Sequence, residues 1–298
     1  SFPTRRSSDL VPVGPVELGL VADFSVLVAS CQTTETDGTV AIGARGEILF
    51  NKTGALPYPG AAAPPVTLHQ TEMIEIVLVD FLFNTAAWAA YQSQVMQVLI
   101  TNAMIPPTVP IKLNTAMFKT AIPGLYQKYP DMEMQVLISD MGNNFETAPK
   151  VTISSANGLM ISTVIRMEWG VVLDESQVVP VFVLNSTLIV EGKASISSDN
   201  RITAAVQLDD LIVGVERSIV GEIDIKSLST FIKSMIQYVA MPLVNKILET
   251  GFQIPTFEGI QLQNPKLTFQ DRHLSISSDF TYTPAPELPV PNKKRYHL

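Results

Sequence analysis

Histidine, cysteine and paired carboxylates are the residues with which this chain could break bonds or hold a metal. It has three histidines, His69, His273 and His297, and one cysteine, Cys31. A zinc site draws its ligands from clusters at short spacing, and these four residues lie far apart in the chain. No serine or cysteine nucleophile accompanies His69 or His273 at a catalytic spacing. There is also no Gly-x-Ser-x-Gly elbow, no phosphate-binding glycine loop and no dinucleotide fingerprint. Asp209-Asp210 falls in strand-like text and is read as a solvated edge. Cys31 lies in a β-rich stretch, reads as a small buried apolar residue, and allows no internal disulfide by itself. The expectation is a protein that is not an enzyme and carries no metal and no organic cofactor.

What the chain can do instead is bury hydrocarbon. Between Asp224 and Gly251, Leu228, Phe231, Ile232, Met235, Ile236, Val239, Leu243 and Ile247 recur every three or four residues. That spacing lays one broad apolar stripe along a helix. Asp224 is a helix-capping residue and Gly251 a helix-ending one, while Pro242 interrupts the run. The polar face, with Lys226, Lys233, Gln237, Asn245, Lys246 and Glu249, is not basic enough for a membrane-surface helix. Such a helix needs a concave apolar partner, and it either completes a core or roofs a cavity. A cavity suits lipid: burying a methylene is worth about 0.8 kcal/mol, so a sixteen-carbon chain gains on the order of 10 kcal/mol before ordering costs.

The partner surface is legible in the middle of the chain. Met134, Val136 and Ile138 alternate with polar or outward residues, as do Ile165, Met167 and Trp169, and Ile202, Ala204, Val206 and Leu208. Period two over long segments, with turns at Gly142-Asn143-Asn144, Asn157-Gly158 and Asp199-Asn200, predicts antiparallel strands in a strongly curved sheet or barrel. Strand text also fills 11–50 and 73–82, and TGALPYPGAAAPP (53–65) reads as a linker. A short helix capped by Asn84 runs to Gln92, and another over 115–128 is kinked at Pro123.

The chain has 298 residues, 46% hydrophobic and 16% charged, with a net charge of −8. Its mean hydropathy is +0.25 and its pI about 4.9. Low charge and high apolar content exclude general disorder, and the acidic balance argues against nucleic acid. No uninterrupted apolar run is long enough for a transmembrane helix. Residues 1–10, SFPTRRSSDL, have no continuity with the apolar text that follows and are read as a disordered artefact, with the natural N-terminus upstream. Sequons at Asn51 and Asn185 permit, without requiring, a secreted glycoprotein. The Pro-rich, basic 284–298 is read as a disordered tail.

Several segments, in order, resemble the family of bactericidal/permeability-increasing protein, lipopolysaccharide-binding protein and the plasma phospholipid and cholesteryl ester transfer proteins. They are VDFLFNTAAWAAYQ (79–92), MIPPTVPIKLNT (104–115), LYQKYPDMEMQV (125–136) and MPLVNKILETGFQIPTFEGIQL (241–262), supported by GLVADFSV, ARGEILF and APPV. The resemblance covers most of 11–283 and leans toward the bactericidal and lipopolysaccharide-binding branch.

What the resemblance implies is an α+β chain forming the C-terminal half of a boomerang-shaped fold. Residues 11–72 would end the N-terminal half and supply central-sheet strands and the linker. Residues 73–251 would form a curved antiparallel barrel with its long amphipathic helix, and 252–283 would close the central sheet. The N-terminal barrel, with the basic lipopolysaccharide-engaging surface, would be missing. The implied function is a secreted, extracellular, innate-immune lipid binder that holds phospholipid or lipopolysaccharide acyl chains in an apolar pocket, or engages a lipid particle surface. A plasma phospholipid or neutral lipid transfer protein is the alternative, and a structural docking half without ligand a second. If the helices after Asn84 and Asp224 cover a barrel mouth together, Phe83, Trp88 and Tyr91 from one face Phe231, Met235, Val239 and Leu243 from the other, as the lipid pocket.

Overall fold

The computed structural model describes residues 46–50, 57–61, 72–94, 97–139, 144–174, 176–254 and 259–283, with strand segments at 5–6, 20–23, 32–33 and 40–41. Cys31, Asn51, His69, Pro255, His297, the Gly142-Asn143 turn and the tail 284–298 lie outside the described residues.

The strands in order are β1 (Arg5–Arg6), β2 (Leu20–Asp23), β3 (Gln32–Thr33), β4 (Val40–Ala41), β5 (Glu47–Phe50), β6 (Ile74–Val79), β7 (Val98–Ile100), β8 (Met134–Ser139), β9 (Lys150–Ser154), β10 (Gly158–Asp174), β11 (Gln177–Ile196), β12 (Arg201–Ser218), β13 (Phe252–Gln253), β14 (Ile260–Gln270) and β15 (His273–Tyr282). The helices are α1 (Asp80–Gln92), α2 (Pro123–Lys128), α3 (Ile225–Met235) and α4 (Met241–Leu248), with a π-helical turn over Ile236–Ala240.

The three long strands β10, β11 and β12 form the body of an eight-stranded antiparallel sheet, ordered β13-β12-β11-β10-β8-β7. β9 and β8 share the outer edge of β10 in succession, and β1 pairs with the start of β11. β14, β15 and β6 make a second sheet, while β2–β5 and β3–β4 are two-stranded pairs. The fold is mixed α and β, as expected. Closure into a barrel is not observed: among the described residues the sheet ends at β7 on one side and β13 on the other. The physical reason is visible on β12. β13 covers only Arg201 and Ile202, and farther along a helix, not a strand, occupies that edge. Register shifts at Trp169/Gly170 and Ile189/Val190 supply the bulges that bend long strands.

Three asparagines attach irregular or helical segments to extended backbone in the same way. Asn84 accepts from Val151 N–H (2.9 Å) and donates to Val151 C=O (2.8 Å). Asn245 does the same to Val206 (2.7 and 3.0 Å), and Asn102 to Leu113 (2.7 and 3.0 Å). A side-chain amide offers one acceptor and two donors in a plane, so it can stand in for a neighbouring strand's peptide group. This corrects the expected role of Asn84. The helix starts four residues earlier, at Asp80, and Asn84 docks it to β9 rather than capping it. Pro123 does not kink a continuous helix either. A 3-10 turn over Thr115–Phe118 ends first, and α2 then starts at Pro123, where a missing N–H costs nothing.

The two sheets are joined at the β14–β15 turn. Arg272, at φ +69°, donates to the Asp80 carboxylate (2.9 and 3.3 Å), and its backbone bonds to Asp80 N–H and Ile153 C=O. Ser155 donates to Asp271 in the same turn. Leu274, Ile276 and Leu262 of the smaller sheet pack with Ile202 and Ile254 in a core of their own, which Phe83 joins.

Replacing Asn84 with alanine would leave a sheet-edge N–H and C=O without partners. The expected loss is about 1–3 kcal/mol of stability, read from urea unfolding midpoints, with α1 the first element to lose exchange protection.

Candidate functional site

The apolar stripe read from the sequence lies against the sheet, running along β12 from its C-terminal end toward its start. Asp224 caps α3, accepting from Lys226 and Ser227 N–H and from the Ser227 hydroxyl (2.6 Å). Lys233 pairs with Asp210 at 2.9 Å, Asn245 grips Val206, and the guanidinium of Arg201 donates to the carbonyls of Thr250 and Gly251 (2.9 and 2.8 Å). Gly251 adopts φ +57° beside Ile202, whose carbonyl oxygen would lie 2.6 Å from an added Cβ. Only glycine fits this helix end.

The stripe is continuous only as far as the π-turn. Leu228, Ile232, Met235, Ile236 and Val239 are buried, whereas Leu243 and Val244 are exposed. Pro242 supplies the cause. It has no N–H for the carbonyl four residues back, and its ring crowds that carbonyl. The helix widens just before it, so that Met241 N–H bonds to Ile236 C=O five residues back.

Packing beneath the helix changes from one end to the other. The cross-strand pairs Trp169–Phe182 and Met167–Leu184 are completely buried. Trp169 stacks on Phe182 at 5.6 Å, with Phe118 edge-on to Trp169 at 5.2 Å and to Phe231 at 4.8 Å. That end is filled by the chain's own aromatic rings. Farther along the same face, Ile161, Leu188, Leu208 and Val206 are only half-buried. They occupy neighbouring rows, Ile161 and Leu208 flanking Val190, with Val206 beyond. These four side chains pack at the margin of the main core around buried Val190, and Val206 and Leu208 lie on the strand that α4 touches.

The residues expected to form one pocket fall in separate places. Phe231, Met235 and Val239 lie together in the main core. Trp88 and Tyr91 stack at 5.7 Å and pack with Ala148, Phe145 and Tyr58, and the Tyr91 hydroxyl meets Thr147 at 3.1 Å. Phe83 belongs to the smaller sheet's core and Leu243 is exposed. α1 sits on β9 and β5, fixed by the Asn84 bonds and by Ile48 N–H donating to the Thr85 hydroxyl. The half-buried concave residues were not singled out as a pocket, although the alternation through Val206 and Leu208 carries the signal. Asn185 lies in the middle of β11 between Arg166 and Gly214 and is half-buried. Among the described residues there is no cluster of three or more metal-ligating side chains, and no helix is long and apolar enough to cross a membrane.

Comparison with known proteins places this arrangement. The family described as "LBP / BPI / CETP family, C-terminal domain" matches residues 19–282. The chain is 30% identical to the lipopolysaccharide-binding protein of Mus musculus over 243 residues, 80% of this chain and 47% of that protein. It is 27% identical to the bactericidal permeability-increasing protein of Sebastes schlegelii over 225 residues, 76% of this chain and 46% of that one. The chain thus spans about half the length of these relatives. A crystal structure of lipopolysaccharide binding protein has a similar fold, with a TM-score of 0.53 at 24% identity over 88% of this chain and 55% of that one.

The carboxyls that hold the roof give it an acid limit. The Ser227 hydroxyl bond keeps Asp224 below the usual carboxylate range, and the Lys233 ammonium bond does the same for Asp210. A depressed folded value stabilises above the unfolded pKa of about 4 and is lost as pH falls through the lowered one. Unfolding midpoints should therefore drop as pH falls from about 4 toward 2, and Asp210→Asn with Asp224→Asn should flatten that drop.

Proposed function

We propose, from the premise that this chain belongs to the LBP / BPI / CETP family and matches its C-terminal domain, that it binds the acyl chains of a phospholipid or lipopolysaccharide on the concave face of the eight-stranded sheet. The site proposed is the half-buried patch of Ile161, Leu188, Val206 and Leu208, bordered on β12 by α4, not the aromatic end. The observation that carries this reading is the contrast along one apolar face, filled by fully buried Trp169, Phe182 and Phe118 at one end and lined by half-buried Ile161, Leu188, Val206 and Leu208 at the other. Hydrocarbon needs no charged partner there, since transfer from water alone supplies about 25 cal/mol per Å² of apolar surface covered.

The finer reading is a secreted protein with a host-defence role. The relatives' names, bactericidal permeability-increasing protein and lipopolysaccharide-binding protein, support it, as do the sequons at Asn51 and Asn185. Phe231, Met235 and Val239 would then form the inner wall against which a chain end rests. Trp88, Tyr91 and Phe83 would fix α1 rather than touch lipid. The eight-stranded sheet with its helix would be the ligand-bearing body, and the sheet of β6, β14 and β15 the part nearest whatever adjoins it in longer relatives.

Mass spectrometry of organic extracts from gently purified protein should find lipid. The protein should also take up pyrene-labelled phosphatidylcholine from phosphatidylcholine vesicles. Ile161→Glu and Val206→Glu should lower that uptake at least about tenfold, since a charge in an apolar site is costly to desolvate, while circular dichroism stays unchanged. Protein that is lipid-free and takes up no probe would refute the proposal.

A further inference from the structure

The helix over this face is built in two parts that differ in how firmly they are held. α3 is anchored by buried Leu228, Ile232 and Met235, by the Asp224 cap and by the Lys233–Asp210 pair. α4 buries Met241 at its start, after which Pro242, Leu243 and Val244 are exposed and Asn245 and Leu248 are half-buried. Between the two lies the π-turn over Ile236–Ala240, followed at once by Pro242. That junction joins a widened turn to a proline nitrogen that cannot donate. Beyond Met241, polar contacts tie this part of the chain to the sheet edge: Asn245 on Val206, and Arg201 on the carbonyls of Thr250 and Gly251. Below it are Val206 and Leu208, the half-buried rim of the concave face.

From this geometry we infer that α4 is a lid. It swings on the π-turn and Pro242, releases the Asn245 clasp, and opens the β12 edge at Val206–Leu208 as the portal for an acyl chain. The inference rests on the binding site proposed above and adds its route of access. Local opening costs least where little apolar surface is buried, and the exposed Pro242, Leu243 and Val244 place that stretch just after the π-turn. The same contrast explains a polar clasp at this position. Two hydrogen bonds exchanged for water cost little to break, whereas a buried leucine or isoleucine there would seal the edge. Val206, once uncovered, presents both its backbone groups and its side chain at the mouth.

Hydrogen–deuterium exchange on the full chain tests the lid directly. The amides of α4 and of Val206 should exchange at least about tenfold faster than those of α3 over 228–235. Asn245→Ala should speed exchange at Val206 and the uptake of pyrene-labelled phosphatidylcholine from phosphatidylcholine vesicles, with α3 unaffected. Pro242→Ala, which restores the missing amide, should slow both several-fold. Exchange of α3 and α4 at one common rate, or variants that leave Val206 exchange and uptake unchanged, would overturn the lid while leaving the binding site standing. Absence of probe uptake by the unaltered protein overturns the binding reading, and the portal with it, whatever the exchange rates.

Discussion

An antiparallel sheet that does not close on itself has two edges of unpaired backbone and one apolar face, and each needs cover. Leaving buried peptide groups unpaired costs as much as several good contacts contribute. Here the cover is made with side chains that imitate backbone. Asn84, Asn102 and Asn245 each present an amide to one residue and satisfy both its N–H and its C=O. The arrangement of the molecule follows from where these amides sit. α1 lies on β9 because Val151 needs a partner, and the end of the long helix lies on β12 because Val206 does. On β9 and β12 helices have taken positions where further strands would pair.

Much of this was legible in the residues, and the reasons are physical. Strands with one buried face alternate, so β8, β10 and β12 could be read from Met134–Ile138, Ile165–Trp169 and Ile202–Leu208. The long helix declared its stripe, its Asp224 cap and its Gly251 stop. The role of Asn84 did not show, because an asparagine near a helix start looks the same whether it caps its own helix or reaches a strand 67 residues away. Closure of the sheet was equally hidden. It depends on whether distant edges meet, and local periodicity carries no record of that.

The buried helix face was legible in the residues, and its neighbours were not. Phe231, Met235 and Val239 face the sheet as their spacing requires, but the aromatic partners that fill the space beside them come from Phe118, Trp169 and Phe182 on other elements. Trp88 and Tyr91 look equally suited to a pocket and instead anchor α1 beside Phe145. Large aromatics signal demand for burial and do not say who meets it. The more modest Val206 and Leu208 mark the uncovered stretch, because they sit where the helix has begun to turn its polar side inward.

The π-turn has a further meaning for the phase of the helix. A π-turn carries one surplus residue relative to regular α winding, which shifts the azimuth of everything after it by about 100°. The apolar face of α3 therefore does not run on unbroken into α4, where Leu243 and Val244 are exposed and Asn245 meets Val206. One residue's worth of winding marks the place where the helix stops covering the sheet with hydrocarbon and begins to hold its edge through an amide.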